Sequence, residues 1–474
     1  MQTENSAPPA WRRYFAYLVV ALMPISANIE RLLSQKKPVY ASPLDFLLPP
    51  LVLIVLVDLL LKKPWLKFKL PPVPTLLWAS VAGISMLWID GFPGQGTLKP
   101  ALKDFAGVLL FGCIGVWAFL NVAADPVEAR RLILILGASF SVCLLLALKQ
   151  YVGPAGIPFD PDKPLQDLGG TTNMRLAGWY DFRAVFGSHV ALLVPVAAAF
   201  AAWEKDPAVR YSAAVFGVLA LCVTLAAGGF IGACAGVVAV AGACIATRRF
   251  IPATIILGGL VLTVALILPR LPRHNTEVLW RGVTLYADKD DKKTPTARLC
   301  RYQAALDLLN SPLDPQNGAG GRLWQRGVGI GSYQKNINRF YQSPYNKPGG
   351  RTDDEGSFDM DSDERFTFGF LETTAVELGV PGLLAVLLVF GGWILSAHSG
   401  FTHFASSEND DQRTRFAATI ALAAFAAGTG ALVLSIFASP MIPGVKGSFA
   451  LFMALAYAVN RWAQEPKSQP TSGA

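Results

Sequence analysis

The sequence predicts an all-α polytopic membrane protein with about 12 transmembrane helices and one large folded loop on the non-cytoplasmic side. Three observations carry that prediction. Of 474 residues, 53% are hydrophobic and only 16% charged, with a mean hydropathy of +0.41, whereas soluble chains carry about 25% charge. Apolar runs long enough to cross a ~30 Å hydrocarbon core, about 20 residues each, recur along the whole chain. Their hydrophobicity is continuous rather than alternating, so the backbone closes its hydrogen bonds in helices and not in a barrel. These features exclude a cytosolic enzyme, a secreted disulfide scaffold, a coiled coil and a disordered tail.

The runs lie near 14–28, 43–61, 74–90, 101–122, 132–150, 184–203, 209–227, 229–247, 250–269, 371–397, 414–439 and 447–461. The Gly228-Gly229 turn is tight, so 209–247 also reads as one broken element. Arg12-Arg13 precede the first run without a convincing small-residue cleavage site, Ile25-Ser26-Ala27 being the nearest, so the expectation is a retained span rather than a signal peptide. Basic residues gather in alternate connectors: Arg12/Arg13, Lys62/Lys63/Lys67/Lys69, Arg130/Arg131, Lys205/Arg210, Arg248/Arg249, Arg413/Arg415 and Arg461/Lys467. The positive-inside rule makes these cytoplasmic and puts both termini inside. Cys113, Cys143, Cys222, Cys234 and Cys244 fall in apolar runs as small hydrophobes. Cys300 alone lies in a long polar loop, which leaves that loop without an internal disulfide partner.

The opposite side receives a smaller segment near 151–182 and a large one, 270–366. The chain therefore divides into a membrane domain with the first nine spans (1–269), a cap with amphipathic helices (270–366), and the last three spans with a cytoplasmic tail (367–474). The large segment holds 15 Lys/Arg and 13 Asp/Glu, a near balance that is no basic patch. The net charge of +8 is thus mainly topological, and no nucleic-acid partner is expected. Loops longer than about 12–15 residues are usually functional or disordered, and Leu299–Leu309 has the apolar spacing of an amphipathic helix. No internal repeat of the transporter kind is present.

Four polar stretches interrupt the apolar pattern. The first runs from Arg175 through Gly178, Arg183, Gly187 and His189 to Pro195, a loop entering the sixth span. The second runs from Thr294 to Tyr302 and contains Arg298 and Arg301. The third is Arg326-Gly327-Val328-Gly329-Ile330-Gly331-Ser332-Tyr333. The fourth runs from Arg365 through Phe368, Glu372 and Glu377 to Gly379-Val380-Pro381-Gly382, where the large loop re-enters the membrane. In this order and spacing they resemble the bacterial O-antigen ligase and O-antigen polymerase superfamily, over most of the chain.

The resemblance implies a bacterial inner-membrane enzyme with its active site facing the periplasm. It implies transfer of a glycan from a polyprenyl-pyrophosphate carrier to an acceptor, with inversion at the anomeric carbon and without a nucleotide sugar, metal or other cofactor. The acceptor is a lipid A core in ligases, another carrier-linked repeat in polymerases and a protein hydroxyl in O-oligosaccharyltransferases. Two family hallmarks differ here. Phe368-Gly369 stand where the family carries a His-Asn pair, and Thr224-Leu-Ala-Ala-Gly228-Gly229 stand where it carries Ser-Arg-Gly.

The chemistry of such a site selects its candidates. Charge develops on a pyrophosphate leaving group, and arginine grips phosphate oxygens through a planar, permanently charged fork. Preorganised cations aimed at developing charge are commonly a large catalytic contribution. Arg298, which looks like the family's loop arginine, is the first candidate for pyrophosphate contact. Arg301 lies three residues on, near the same helix face, and Arg175, Arg183 and Arg365 complete the set. Arg183 replaces the proline of the family's Asn-Pro-Asn. Glu372 and His189 are the candidate bases for the acceptor hydroxyl. An intramembrane carboxylate defaults to a functional hypothesis, and His189 lies ~9 Å along its helix from Arg183, with an imidazole suited to proton transfer.

Blander readings attach to the other signals. Glu377 is a structural residue at the Gly379–Gly382 break. Gly327, Gly329 and Gly331 lack the strand–turn–helix setting of a nucleotide fingerprint; they shape a tight loop or lend amides to a phosphate. Asp359-Met-Asp361-Ser-Asp363-Glu364 misses the glycine and closing glutamate of a calcium loop and reads as a solvated acidic segment or a divalent-ion contact. Lys99 and Lys103 suit interfacial snorkelling or lipid phosphate equally.

The leading functional expectation is a surface-polysaccharide polymerase acting on a polyprenyl-pyrophosphate-linked glycan with a lipid or glycan acceptor. Membrane lipids and other polysaccharide assembly proteins are its expected partners. One alternative is an O-antigen ligase acting on lipid A core. Another is a non-catalytic component or transporter in polysaccharide export.

Overall fold

The computed structural model describes residues 10–25, 27–28, 40–61, 68, 70–87, 98–123, 125–152, 183–224, 227–267, 295–312, 321–337, 369–407, 411–442 and 444–464. In chain order these form α1 (Ala10–Leu22), α2 (Pro43–Leu60), α3 (Val73–Ser85) and α4 (Leu98–Gly107). A π-helical segment, Val108–Ile114, joins α4 to α5 (Gly115–Val122). There follow α6 (Pro126–Val152), α7 (Arg183–Trp203), α8 (Pro207–Val223), α9 (Ala227–Ala246), α10 (Phe250–Ile267) and α11 (Pro295–Asn310). The chain closes with α12 (Tyr333–Ile337), α13 (Phe370–Ala405), α14 (Gln412–Phe437) and α15 (Lys446–Gln464). The strands among the described residues are β1 (Ala27–Asn28) and β2 (Tyr40–Ala41), paired antiparallel with Ala27 opposite Ala41.

Each apolar run of the sequence carries a helix among its described residues, although the run 14–28 leaves α1 at Leu22 and ends in β1. Seven helical stretches, in α2, α4–α5, α6, α7, α9, α13 and α14, are long and apolar enough to cross a membrane. The apolar helices α3, α8 and α10 are shorter. The stretch 209–247 is two helices, with Thr224 extended after α8 and α9 starting at Ala227.

Local chemistry sets the helix starts. Ser42 caps α2 by accepting from the Leu44 N–H at 3.3 Å, while Asp45 accepts from the Ser42 N–H at 3.0 Å. That reciprocal pair is a capping box, with Pro43 in the first turn. Asp206 caps α8 ahead of Pro207, and Asp411 caps α14 by accepting from the Thr414 N–H at 2.6 Å.

The centre of the bundle is the seam of α7, α9 and α14. Small residues let these backbones approach closely. A Cβ on Gly229 would lie 2.3 Å from the Gly187 carbonyl oxygen, and one on Gly430 2.3 Å from that of Ala191. α13 packs along α14 and α3, and α15 against α13 and α5. Buried Trp393 ties α13 to α14 by donating to the Ala424 carbonyl at 2.8 Å.

The described arginines of the basic connectors lie at one end of the bundle with buried or half-buried carboxylates beside them. Arg12 pairs with buried Asp58, Arg131 with Glu128 at 2.7 Å, and Arg130 with Glu204 at 2.9 Å. Such carboxylates are tolerated because each has a guanidinium partner. Arg249 stacks over Trp203 at the same end, 3.6 Å from the ring centroid.

The other end carries the polar segment. α11, a 3-10 turn at Leu323–Gln325 and α12 fold against α13. They share a small core of Ala304, Ala305, Leu308, Leu323, Val328, Tyr333 and Ile337, closed by Val376 of α13.

Candidate functional site

The site is built on a break in α13. Pro381 has no N–H to offer the carbonyl of Glu377, four residues back, and Gly379 leaves helical geometry altogether, with φ 65 and ψ −165. Orphaned carbonyls near a buried break need donors from elsewhere. The cap supplies them: the Val328 N–H donates to the Val376 oxygen at 3.0 Å and the Gly329 N–H to the Glu377 oxygen at 2.8 Å.

Glycine is required for this fit. Gly327 adopts φ 76, and a Cβ there would lie 2.2 Å from the Glu377 oxygen. Gly331, at φ 73, would place a Cβ 2.8 Å from the Ala101 Cα at the start of α4. Between them, the Ile330 N–H donates to Ser85 Oγ at the end of α3, at 3.2 Å. The Gly327 N–H turns back to the Leu323 oxygen at 2.7 Å. The amides from 327 to 330 therefore all have protein acceptors, which leaves Gly327 and Gly329 to shape the loop.

Glu372 and Glu377 project from the first turns of α13 toward this loop. The Tyr333 N–H donates to Glu377 Oε1 at 3.1 Å, and the Tyr333 hydroxyl donates to Glu372. Glu377 is buried and Glu372 half-buried. Beside them, Asn336 donates to the Ser332 carbonyl at 2.9 Å. Ser332 Oγ and Asn336 Oδ1 are buried without a hydrogen-bond partner among the described residues.

The helix that bears the leading arginines meets the same corner. Arg298 and Arg301 lie in the first two turns of α11; their side chains fall outside the described residues. The next residue, Tyr302, donates its hydroxyl to the Ile436 carbonyl at the end of α14, at 2.9 Å. A Cβ on Gly369, just before α13, would lie 2.4 Å from that same oxygen. α11, the end of α14 and the start of α13 thus converge on Ile436, with Glu372 three residues into α13.

The other candidates separate from this corner. His189 is fully buried, stacked on Phe140 with 5.1 Å between ring centroids. Its Nδ1 lies 3.3 Å from the Val185 carbonyl, and the backbone of Gly444 adjoins the ring. Arg183 opens α7, but its side chain, like all of Arg175, Arg365, Phe368 and the 359–364 acidic stretch, lies outside the described residues. Lys103 is exposed on α4, and the Lys99 side chain is outside the described set. Where the family carries its middle-helix arginine, Gly228 and Gly229 press against Phe437 and Gly187, and Thr224 donates to the Ala220 carbonyl at 2.6 Å.

Two groupings escaped sequence reasoning. Tyr333 carries no signal of its own, because its carboxylate partners lie 39 and 44 residues away. Lys446 forms an ion pair with Asp45 and sits 3.9 Å from the Phe111 ring centroid, a contact between opposite ends of the chain. Among the described residues no cluster of three or more His, Cys, Asp or Glu is placed to hold a metal ion.

No protein-family model matches the chain, and no curated protein matches it.

Proposed function

We propose that the chain is a membrane-embedded glycosyltransferase of a bacterial inner membrane. It moves a glycan from a polyprenyl-pyrophosphate carrier to an acceptor hydroxyl at the periplasmic face, as a surface-polysaccharide polymerase. All 12 apolar runs then span the bilayer with the basic end cytoplasmic, and 270–366 caps the periplasmic end. The helix on every run and the clustering of arginines at the end opposite the cap support this topology.

One observation carries the functional reading. A half-buried carboxylate, Glu372, is held by the cap at the corner where the helix bearing Arg298 and Arg301 is tied to the bundle. In the reaction, Glu372 accepts the proton of the acceptor hydroxyl as its oxygen bonds to the anomeric carbon. The bond from that carbon to the pyrophosphate oxygen breaks, and the arginines balance the charge on the departing polyprenyl pyrophosphate. His189 is left to packing in this scheme, because its ring is fully buried against Phe140 and the turn of Val185.

The test is the purified full chain in proteoliposomes with a polyprenyl-pyrophosphate-linked saccharide. The expected products are a lengthened saccharide and free polyprenyl pyrophosphate, with Glu372→Gln lowering the rate by roughly 100-fold or more. A well-folded wild-type chain that yields neither product overturns the proposal.

A further inference from the structure

Tyr333 touches both carboxylates at the head of α13, and it does so from the cap. Its main-chain N–H bonds Glu377 and its phenol bonds Glu372. On a straight α-helix, residues five apart are about 7.5 Å apart along the axis and point some 140° apart. They do not share a face. The tyrosine solves this by lying along α13, its backbone level with Glu377 and its ring reaching back to Glu372. Its ring is itself 3% exposed and belongs to the cap's core with Leu308, Leu323 and Val376, so the phenol oxygen has little freedom to move.

The two bonds have different consequences. The bond to Glu377 uses a backbone N–H, so it survives any side-chain change at 333. It belongs to the seating of the cap, together with the Val328 and Gly329 bonds to the broken helix. The bond to Glu372 uses the hydroxyl alone. A half-buried glutamate side chain has several rotatable bonds, and a strong donor restricts them. We infer that Tyr333 is a positioning residue: its phenol fixes the Glu372 carboxylate against the cap, in the orientation in which it takes the acceptor proton. The inference rests on the proposed role of Glu372 as base. Displacements of about 1 Å at a reacting group lower rates by up to about 100-fold, so a fixed carboxylate has a measurable signature.

Tyr333→Phe removes the hydroxyl and keeps the ring and the backbone donor. In the proteoliposome assay it is expected to lower kcat by roughly 10- to 100-fold while KM stays within about twofold, because the acceptor's binding contacts are untouched. Protease resistance of the cap and the thermal midpoint of the full chain are expected to match wild type. In a Glu372→Gln background the same change is expected to cost no further factor, since Tyr333 then has no base to position. Unchanged kcat in Tyr333→Phe overturns the inference. So does a fully multiplicative loss in the double variant, or a joint loss of kcat and cap protection, which marks a structural role. A wild-type chain without transfer activity overturns the glycosyltransferase reading itself, and the positioning role falls with it.

Discussion

Gly329 donates its backbone N–H to the carbonyl oxygen of Glu377 at 2.8 Å, four residues ahead of Pro381. A proline inside a helix leaves that carbonyl without its usual donor. Here the vacancy becomes the socket for the cap. A defect in one element is the attachment point of another, and the Gly379 break lies two residues beyond the socket.

Restoring the missing donor is expected to loosen the cap. In Pro381→Ala α13 can run through Gly379 as an unbroken helix, and the new N–H then competes with Gly329 for the Glu377 oxygen. Hydrogen–deuterium exchange at Val328 and Gly329 is expected to accelerate at least about 10-fold, with little change at α14.

The loop glycine nearest the socket admits no side chain. Gly327→Ala combines a positive φ with a Cβ 2.2 Å from a backbone oxygen. The strain alone costs on the order of 1–3 kcal/mol, and the clash adds to it. The expected result is a displaced cap, read as a lower thermal midpoint and protease cleavage within 321–337.

Among the arginines, the glycosyltransferase reading weights Arg298 most. Arg298→Ala is expected to lower transfer by roughly 100- to 1000-fold, and Arg298→Lys to recover part of it, because lysine keeps the charge but lacks the fork. Full activity in a normally expressed Arg298→Ala chain removes this residue from the pyrophosphate site.

A pH dependence attaches to the cap of α14. The Thr414 N–H bond is the main reason that the Asp411 carboxyl is held below its usual value. A depressed folded-state value adds stability above the unfolded value, about 4 for aspartate, and that stability is lost as pH falls through the folded value. Asp411→Ala is therefore expected to cost about 1 kcal/mol at neutral pH and progressively less from about pH 4 downward. Thermal melts of the two chains across pH 2–7 measure this convergence.

The helices were legible because hydropathy is local: each apolar run declares its own element. The capping box at Ser42 and Asp45 and the break at Gly379-Val-Pro381 also sit in contiguous residues. What fills the break was not legible, because Val328 and Gly329 lie some 50 residues earlier and nothing in their chemistry specifies a carbonyl partner. Glu372 stood out as a carboxylate near a span end, yet its tyrosine partner did not. His189 stood out as an imidazole within a span, and only its full burial against Phe140 distinguishes an enclosed ring from an accessible one. The π-helical stretch left no trace either, since one extra residue in an apolar string changes no composition.

That stretch has its own consequence. The Gly115 N–H reaches the Leu110 carbonyl, five residues back, so Val108–Ile114 spends an extra residue on its turn. Everything after it is rotated by about 100° relative to a uniform helix. Trp117 and Asn121 meet the Phe68 carbonyl at 2.8 and 3.0 Å only at that angle. The segment works as a phase shifter: it lets one continuous rod present its two halves to different neighbours, and a one-residue deletion inside it would turn α5 away from the Phe68 carbonyl.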